Sequence, residues 1–181
     1  DKRHIFVQGD IGDKELVSKL LAEHQPRAVL NFAAESHVDR SINGGFQFVE
    51  TNVLGVATLL EAMKNSHVKT FLQVSTDEVY GDMADHFALN HSATESDVIK
   101  PSSYYSATKA ASDMLVLSAN RTYGIPYLIT RTCNNFGEHQ FEEKFLPTIA
   151  RSIGEGKPVP VYGDGKQVRE WMYVYDNVKV I

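Results

Sequence analysis

Three short, unbroken apolar runs separated by helix-length segments constrain this 181-residue chain more than any other feature. They are Arg27-Ala28-Val29-Leu30-Asn31-Phe32, Thr70-Phe71-Leu72-Gln73-Val74-Ser75 and Tyr127-Leu128-Ile129-Thr130. Each has strand length and lacks the strict polar alternation of a strand with one wet face, the pattern of a parallel sheet covered by helices. The segments between them read as helices. Asp13 caps the first, with Leu16, Val17, Leu20 and Leu21 on one face and Pro26 beyond its end. Val49, Val53, Val56, Leu60 and Met63 recur at helical spacing and predict a helix of about five turns over residues 46–65. Pro101-Ser102-Ser103 opens a third helix running to Tyr123, with Gly124 as its C-cap. Strand and helix in alternation give an α/β fold, a doubly wound parallel sheet of Rossmann-like type.

The remaining segments are less regular. His4 to Asp10 reads as a further strand running into a turn, and residues 81–101 as a long polar loop of the kind that often carries function. Beyond Phe145 the pattern predicts a helix, a Gly154 to Pro158 turn, a short Val159 to Tyr162 strand and a last strand over Glu170 to Val174. The chain starts with Asp1-Lys2-Arg3 and stops within an apolar stretch at Val180-Ile181, so it is expected to be incomplete at both termini. The expected division is a partial cofactor-binding domain over 1–140, without its first strand and glycine-rich turn, and the start of a smaller C-terminal substrate region over 141–181.

Composition narrows the class. With 43% hydrophobic and 23% charged residues the chain can bury a core. A net charge of −5, with no basic cluster, argues against a nucleic-acid partner. No apolar stretch reaches the roughly 18 residues of a membrane span, and no basic-then-apolar leader is present, so no membrane partner and a cytoplasmic location are expected. Cys133 is the single cysteine, which excludes an intrachain disulfide. None of the seven histidines forms a metal-ligand spacing with Cys133 or a carboxylate, so no metal is assigned.

Two motifs carry chemistry. Ser75-Thr76-Asp77-Glu78-Val79-Tyr80-Gly81 places a hydroxyl and adjacent carboxylic acids at the carboxyl end of a predicted parallel strand, where such sheets bind ligands. Neighbouring carboxylates that are partly buried can split into a proton donor and a proton acceptor, which suits elimination of water. The same residues could instead cap a turn. In Tyr105-Ser106-Ala107-Thr108-Lys109 a phenol and an ammonium stand at i and i+4 of a helix, and the ammonium is expected to lower the phenol's pKa and make Tyr105 a base. Taken singly, that pair reads more readily as a surface aromatic beside a surface lysine.

Read in order, these motifs resemble the extended short-chain dehydrogenase/reductase family, and within it the nucleotide-sugar 4,6-dehydratases. The likeness extends over Gly9-Asp10-Ile11, Ala33-Ala34-Glu35-Ser36-His37-Val38-Asp39-Arg40-Ser41, Glu50-Thr51-Asn52, Asn134-Asn135-Phe136-Gly137, Glu143 to Pro147 and Arg169-Glu170-Trp171. The resemblance implies NAD as cofactor and a nucleotide-linked glucose as substrate, dTDP-glucose being the first choice. It implies Tyr105 as base on the 4-hydroxyl, Thr76 bonding that oxygen, Lys109 holding the cofactor ribose and tuning Tyr105, Glu78 as base at C5 and Asp77 as acid on the 6-hydroxyl. It further places Asp10 and Ile11 by the adenine, Ala33, Ala34 and Thr51 along the cofactor cleft, and Asn135 near the nicotinamide. Ser36, Asn134 and Arg169 would face the sugar nucleotide, and Lys144 the diphosphate. The family also pairs helices across a homodimer, here those over 46–65 and 102–123. Tyr104, Glu138 and Glu142 stand where the family commonly has proline, a departure that bears on loop geometry. Within the superfamily the rival reactions are epimerisation and decarboxylation, and outside catalysis a nucleotide-sugar-binding module. The Asp77-Glu78 pair favours dehydration, because the rivals need no proton donor for a 6-hydroxyl.

Overall fold

A computed structural model describes residues 3–36, 44–161 and 163–181. Its centre is a three-stranded parallel sheet in the order β1-β2-β3, formed by β1 (Ala28–Asn31), β2 (Thr70–Thr76) and β3 (Tyr127–Thr132). Together with its helices this is a Rossmann-like parallel α/β fold. Helix α1 (Lys14–His24) precedes β1, and the stretch between β1 and β2 ends in α2 (Phe46–Val49), a π-helical segment (Glu50–Gly55) and α3 (Val56–Lys64). A 3₁₀ turn (Asp77–Tyr80) leaves β2 directly, followed by α4 (Met83–Ala88) and the long α5 (Tyr104–Tyr123). After β3 come β4 (Asn134–Phe136), α6 (Phe145–Gly154), β5 (Trp171–Tyr173) and α7 (Val174–Val180), with β4 and β5 paired in parallel.

Register sets the core. Val29, Phe71 and Tyr127 lie in one row across the sheet, and the next row on that face is Asn31, Gln73 and Ile129. Val17 of α1, Val56, Leu59, Leu60 and Met63 of α3, and Val116 and Ala119 of α5 close over Phe71, which is fully buried. The opposite row is Leu30, Leu72 and Leu128, of which Leu30 and Leu128 are about half exposed, at 49% and 57%.

The helix ends follow sequence chemistry. The Asp13 carboxylate accepts from the Leu16 amide, and Ser103 forms a reciprocal capping box with Ser106. Gly124, at φ 70°, takes the left-handed C-cap geometry that a Cβ would disfavour. The helix expected over 46–65 is present, but its middle widens into a π segment. There Asn52 turns inward, 1% exposed: its side-chain amide exchanges two hydrogen bonds with the Glu35 backbone and donates to Thr108 Oγ1, while its backbone carbonyl accepts from Ser112 Oγ. This one side chain ties the segment after β1 to α5.

Several expected elements differ. His4 to Asp10 forms no strand, because a strand exists only through a ladder and no described strand pairs with it; Ile5 and Phe6 are exposed. The 81–101 loop contains α4, and Lys100 N–H bonds the Val79 carbonyl to bring its far end back. Val159 to Val161 is irregular, and Tyr162 lies outside the described residues, as does the His37 to Ser41 run. The last predicted strand shortens to β5, and the apolar residues after it form α7. β4 was not expected, since Asn134-Asn135 has turn composition; pairing with β5 overrides local preference.

Because Phe71 is fully buried between two strands and three helices, Phe71→Ala in the full-length protein should lose about 3–5 kcal/mol of stability, read by urea denaturation.

Candidate active site

The functional groups collect where β2 and β3 end together. Thr76 pairs with Thr132 as the last rung of the ladder. Beyond it β2 can continue only by leaving the sheet, and the Thr76 hydroxyl caps the 3₁₀ turn by accepting from the Glu78 amide at 3.3 Å. Thr76 thereby aims two acids in different directions. Glu78 enters a cleft of about 380 Å³ that is also lined by Ser36, Thr76, Tyr105, Asn134, Asn135 and Lys144. Asp77 lines an adjoining cleft of about 640 Å³, together with Glu170 and the His86 and His91 rings. Thr132 and Cys133 form the wall between the two, and the Thr76 hydroxyl reaches across to Asp77 Oδ1 at 3.2 Å.

Of the residues named from sequence, seven therefore share one cleft. Lys109 lies beneath it, 4% exposed, with Nζ donating to the Val74 carbonyl at the end of β2. Asp10 and Thr51 line a separate open cleft of about 540 Å³ with Glu35 and Glu50. Ile11 packs into the core against Gly55, where a Cβ would lie 2.6 Å from Ile11 Cδ1. The Ala33 amide donates to the Asn31 side chain, and Ala34 is half-buried one residue on. Arg169 is exposed and lines neither of the clefts beside Asp77 and Glu78, although its charge acts on Glu78. The structure adds residues that sequence reading passed over. Gln140 donates to the Asn135 carbonyl, and the stacked Phe145 and Trp171 rings, 5.9 Å apart, form one side of the sugar-sized cleft. Trp171 and Phe145 were visible within Arg169-Glu170-Trp171 and the Glu143 to Pro147 run, whereas Gln140 carries no signal of its own.

Electrostatically the site is a set of acids held back from ionising. Burial pushes both Asp77 and Glu78 up, opposed at Asp77 by the Thr76 hydrogen bond and at Glu78 by the Arg169 charge. Glu170 adds to the rise at Asp77. Tyr105 is pushed up to about 12, by burial first and then by the Glu78 carboxylate. The expected lowering by Lys109 does not occur, because its ammonium points to the Val74 carbonyl and feels Asp113, and its own pKa is lowered by burial. Among the described residues no cluster of three or more His, Cys, Asp or Glu could hold a metal ion, and no helix is long and apolar enough to cross a membrane.

Comparison with known proteins gives a consistent picture. The model of the NAD dependent epimerase/dehydratase family matches residues 1–181. A dTDP-glucose 4,6-dehydratase of Xanthomonas campestris pv. campestris is 51% identical over 98% of this chain and 52% of its own length. The low-salt glycan biosynthesis protein Agl12 of Haloferax volcanii is 52% identical over 96% of this chain and 54% of its own. The solved structure of a double mutant of DesIV, a dTDP-glucose 4,6-dehydratase from Streptomyces venezuelae with NAD bound, superposes with a TM-score of 0.91 at 43% identity, covering 99% of this chain and 53% of that one. The chain thus spans about half the length of the curated relatives it matches.

The raised carboxylates make a prediction with a definite sign. A folded-state pKa above the unfolded value means that the folded protein holds more protons, so stability falls as pH rises from the ordinary carboxylate range through the raised values. Glu78→Gln should therefore stabilise the full-length protein at neutral pH, and the gain should shrink as pH falls toward 4.5, the ordinary glutamate value. Thermal unfolding from pH 4 to pH 8 checks this.

Proposed function

Because the chain belongs to the NAD dependent epimerase/dehydratase family, we propose that it forms the catalytic half of an NAD-dependent nucleotide-sugar 4,6-dehydratase acting on dTDP-glucose. The observation that carries this reading is one cleft holding Thr76, Glu78 and Tyr105, with Asp77 joined to it through the Thr76 hydroxyl.

NAD, when bound, supplies the acceptor and later the donor of hydride. The residues present suit it. The Asp10 carboxylate, already fixed by the Gly12 amide at 2.6 Å, lies in an open cleft with Thr51 and offers an acceptor for nucleoside hydroxyls. Ile11 would flank the adenine, Ala33 and Ala34 would line the cleft at the end of β1, and Asn135 would stand by the nicotinamide. Residues 1–140 are proposed as part of the cofactor-binding domain. The region from 141 to 181 then begins the substrate half. Lys144, at the N-terminus of the ten-residue α6, faces the cleft where helix-end amides and an ammonium would both favour a diphosphate. Ser36, Asn134 and Arg169 complete the sugar-nucleotide contacts.

In this reading Thr76 bonds the sugar 4-oxygen and Tyr105 takes its proton, which requires the phenol, raised to about 12 by burial, to ionise once substrate and cofactor are bound, while Lys109, one turn along α5, would hold the cofactor ribose. The resulting ketone acidifies C5. Glu78 removes the C5 proton, and Asp77 protonates the departing 6-hydroxyl, so that one water is lost. Hydride taken from C4 reappears at C6 and a proton returns to C5, leaving a 4-keto-6-deoxy sugar. Burial and the Glu170 charge both raise the Asp77 pKa, the direction that a proton donor to the leaving group needs.

We further propose a cytoplasmic homodimer that pairs the 46–65 and 102–123 helices across the interface. Leu54 and Met114, 56% and 44% exposed on those two helices, supply apolar surface for it.

The full-length protein should convert dTDP-glucose, and UDP-glucose more slowly, to the 4-keto-6-deoxy product. Asp77→Asn/Glu78→Gln should abolish this, and Tyr105→Phe should lower kcat about 10²–10⁴-fold, the range for losing a general acid or base. Product detection by mass spectrometry decides it: no product from either sugar despite bound NAD removes the dehydratase reading in favour of an epimerase, a decarboxylase or a binding module.

A further inference from the structure

Asp113 is fully buried on α5, one turn beyond Lys109 and two beyond Tyr105, on the same helix face. A buried carboxylate needs a partner, and Arg131 provides it: Nε donates to Asp113 Oδ2 at 2.9 Å. Strand parity explains why this arginine is available. Tyr127, Ile129 and Arg131 alternate onto the sheet face that α5 covers, and Arg131 pairs across the ladder with Ser75. The same guanidinium has a second commitment. Its Nη1 donates to the Tyr80 hydroxyl at 2.7 Å, and its plane lies over the Tyr80 ring, 5.1 Å from the centroid. Tyr80 is the last residue of the turn that bears Asp77 and Glu78, and it is itself buried.

We propose that Arg131 is a positioning residue that holds the Asp77-Glu78 turn in register with the Tyr105-Lys109 helix. One rigid fork grips Asp113 on the helix and Tyr80 on the turn, so the groups for removing the 4-hydroxyl proton and those for expelling water cannot drift apart. The geometry is specific to arginine, because a lysine ammonium is a single point on a flexible stem and cannot present two fixed donors in one plane. Val79 and Tyr80 of the turn also pack against Ala110 of α5, an apolar contact that buries the turn but lacks the direction of a hydrogen bond. The Glu78 amide to Thr76 Oγ1 bond is 3.3 Å long, and the Gly81 amide to Glu78 carbonyl bond is 3.2 Å and internal to the turn. Lys100 N–H to the Val79 carbonyl joins it to the following loop, not to α5.

The kinetic part of this inference rests on the proposed dehydration, whereas its structural part does not. Tyr80→Phe removes one hydroxyl and keeps the buried ring, so it should fold, and Arg131→Lys tests the fork directly. In the full-length protein, amide hydrogen exchange over residues 78–81 should rise about tenfold or more in Tyr80→Phe, while α5 keeps its wild-type protection. In the dehydratase assay the same variant should lose about tenfold or more in kcat with KM little changed, since small misplacement of reacting groups is expensive. Arg131→Lys should reproduce both effects. Exchange in the turn within twofold of wild type would overturn the proposal, as would a parallel rise in the turn and α5, which marks a merely structural pair. If wild type makes no product, the proposed function fails while exchange still decides the role of Arg131.

Discussion

Everything at this site depends on β2 being hydrogen-bonded on both sides. β1 pairs with this central parallel strand as far as Gln73 and β3 as far as Thr76 opposite Thr132, and beyond that last rung the strand turns out of the sheet. The turn it makes is short and capped by its own last hydroxyl, so the residues after the strand project at the carboxyl end of the sheet in fixed directions. Lys109 is tied to the same strand end through the Val74 carbonyl, and Ser36 reaches it from the segment that Asn52 anchors to α5. The cleft is thus assembled from five separate stretches of sequence around one structural event, the end of β2.

Burial then supplies the reactivity. Water screens a carboxylate pair on a surface, but here desolvation is the largest influence on Asp77, Glu78 and Tyr105 alike, and it favours the neutral form of each. Each group therefore holds its proton to a higher pH than it would in water. The same desolvation works against folding, so the acids that make the site reactive also limit the stability of the protein that carries it.

Much of this was legible in the chain because burial and helix geometry leave periodic marks. The three strands, α1, α5 and the helical stretch before β2 were each read from apolar spacing and caps, and Thr76, Glu78, Tyr105, Asn134, Asn135, Ser36 and Lys144 do meet in one cleft. What stayed hidden was set by partners distant in sequence. His4 to Asp10 has strand composition but no neighbour to pair with, and β4 exists only because β5 returns to it. The π segment that turns Asn52 inward has no sequence mark beyond an asparagine amid apolar residues. The charge of Lys109 was assigned to Tyr105 because the two are one turn apart, yet a backbone carbonyl on another strand claims that ammonium.

The neighbours of the acid pair show how one fold can make two adjacent carboxylates different. Asn134 N–H bonds the Glu170 carbonyl, which brings β5 against the residue that follows Cys133, and so places Glu170 across the cleft from Asp77. Arg169, one residue earlier, acts on Glu78 instead. An adjacent cation and anion just before β5 therefore act on two adjacent acids in the turn after β2: the anion reinforces the neutral form of Asp77, and the cation favours the ionised form of Glu78. Burial alone would raise both acids together and leave their roles interchangeable. The Arg169-Glu170 pair weighs against that equivalence in the direction that the proposed elimination would need, toward a donor at Asp77 and an acceptor at Glu78.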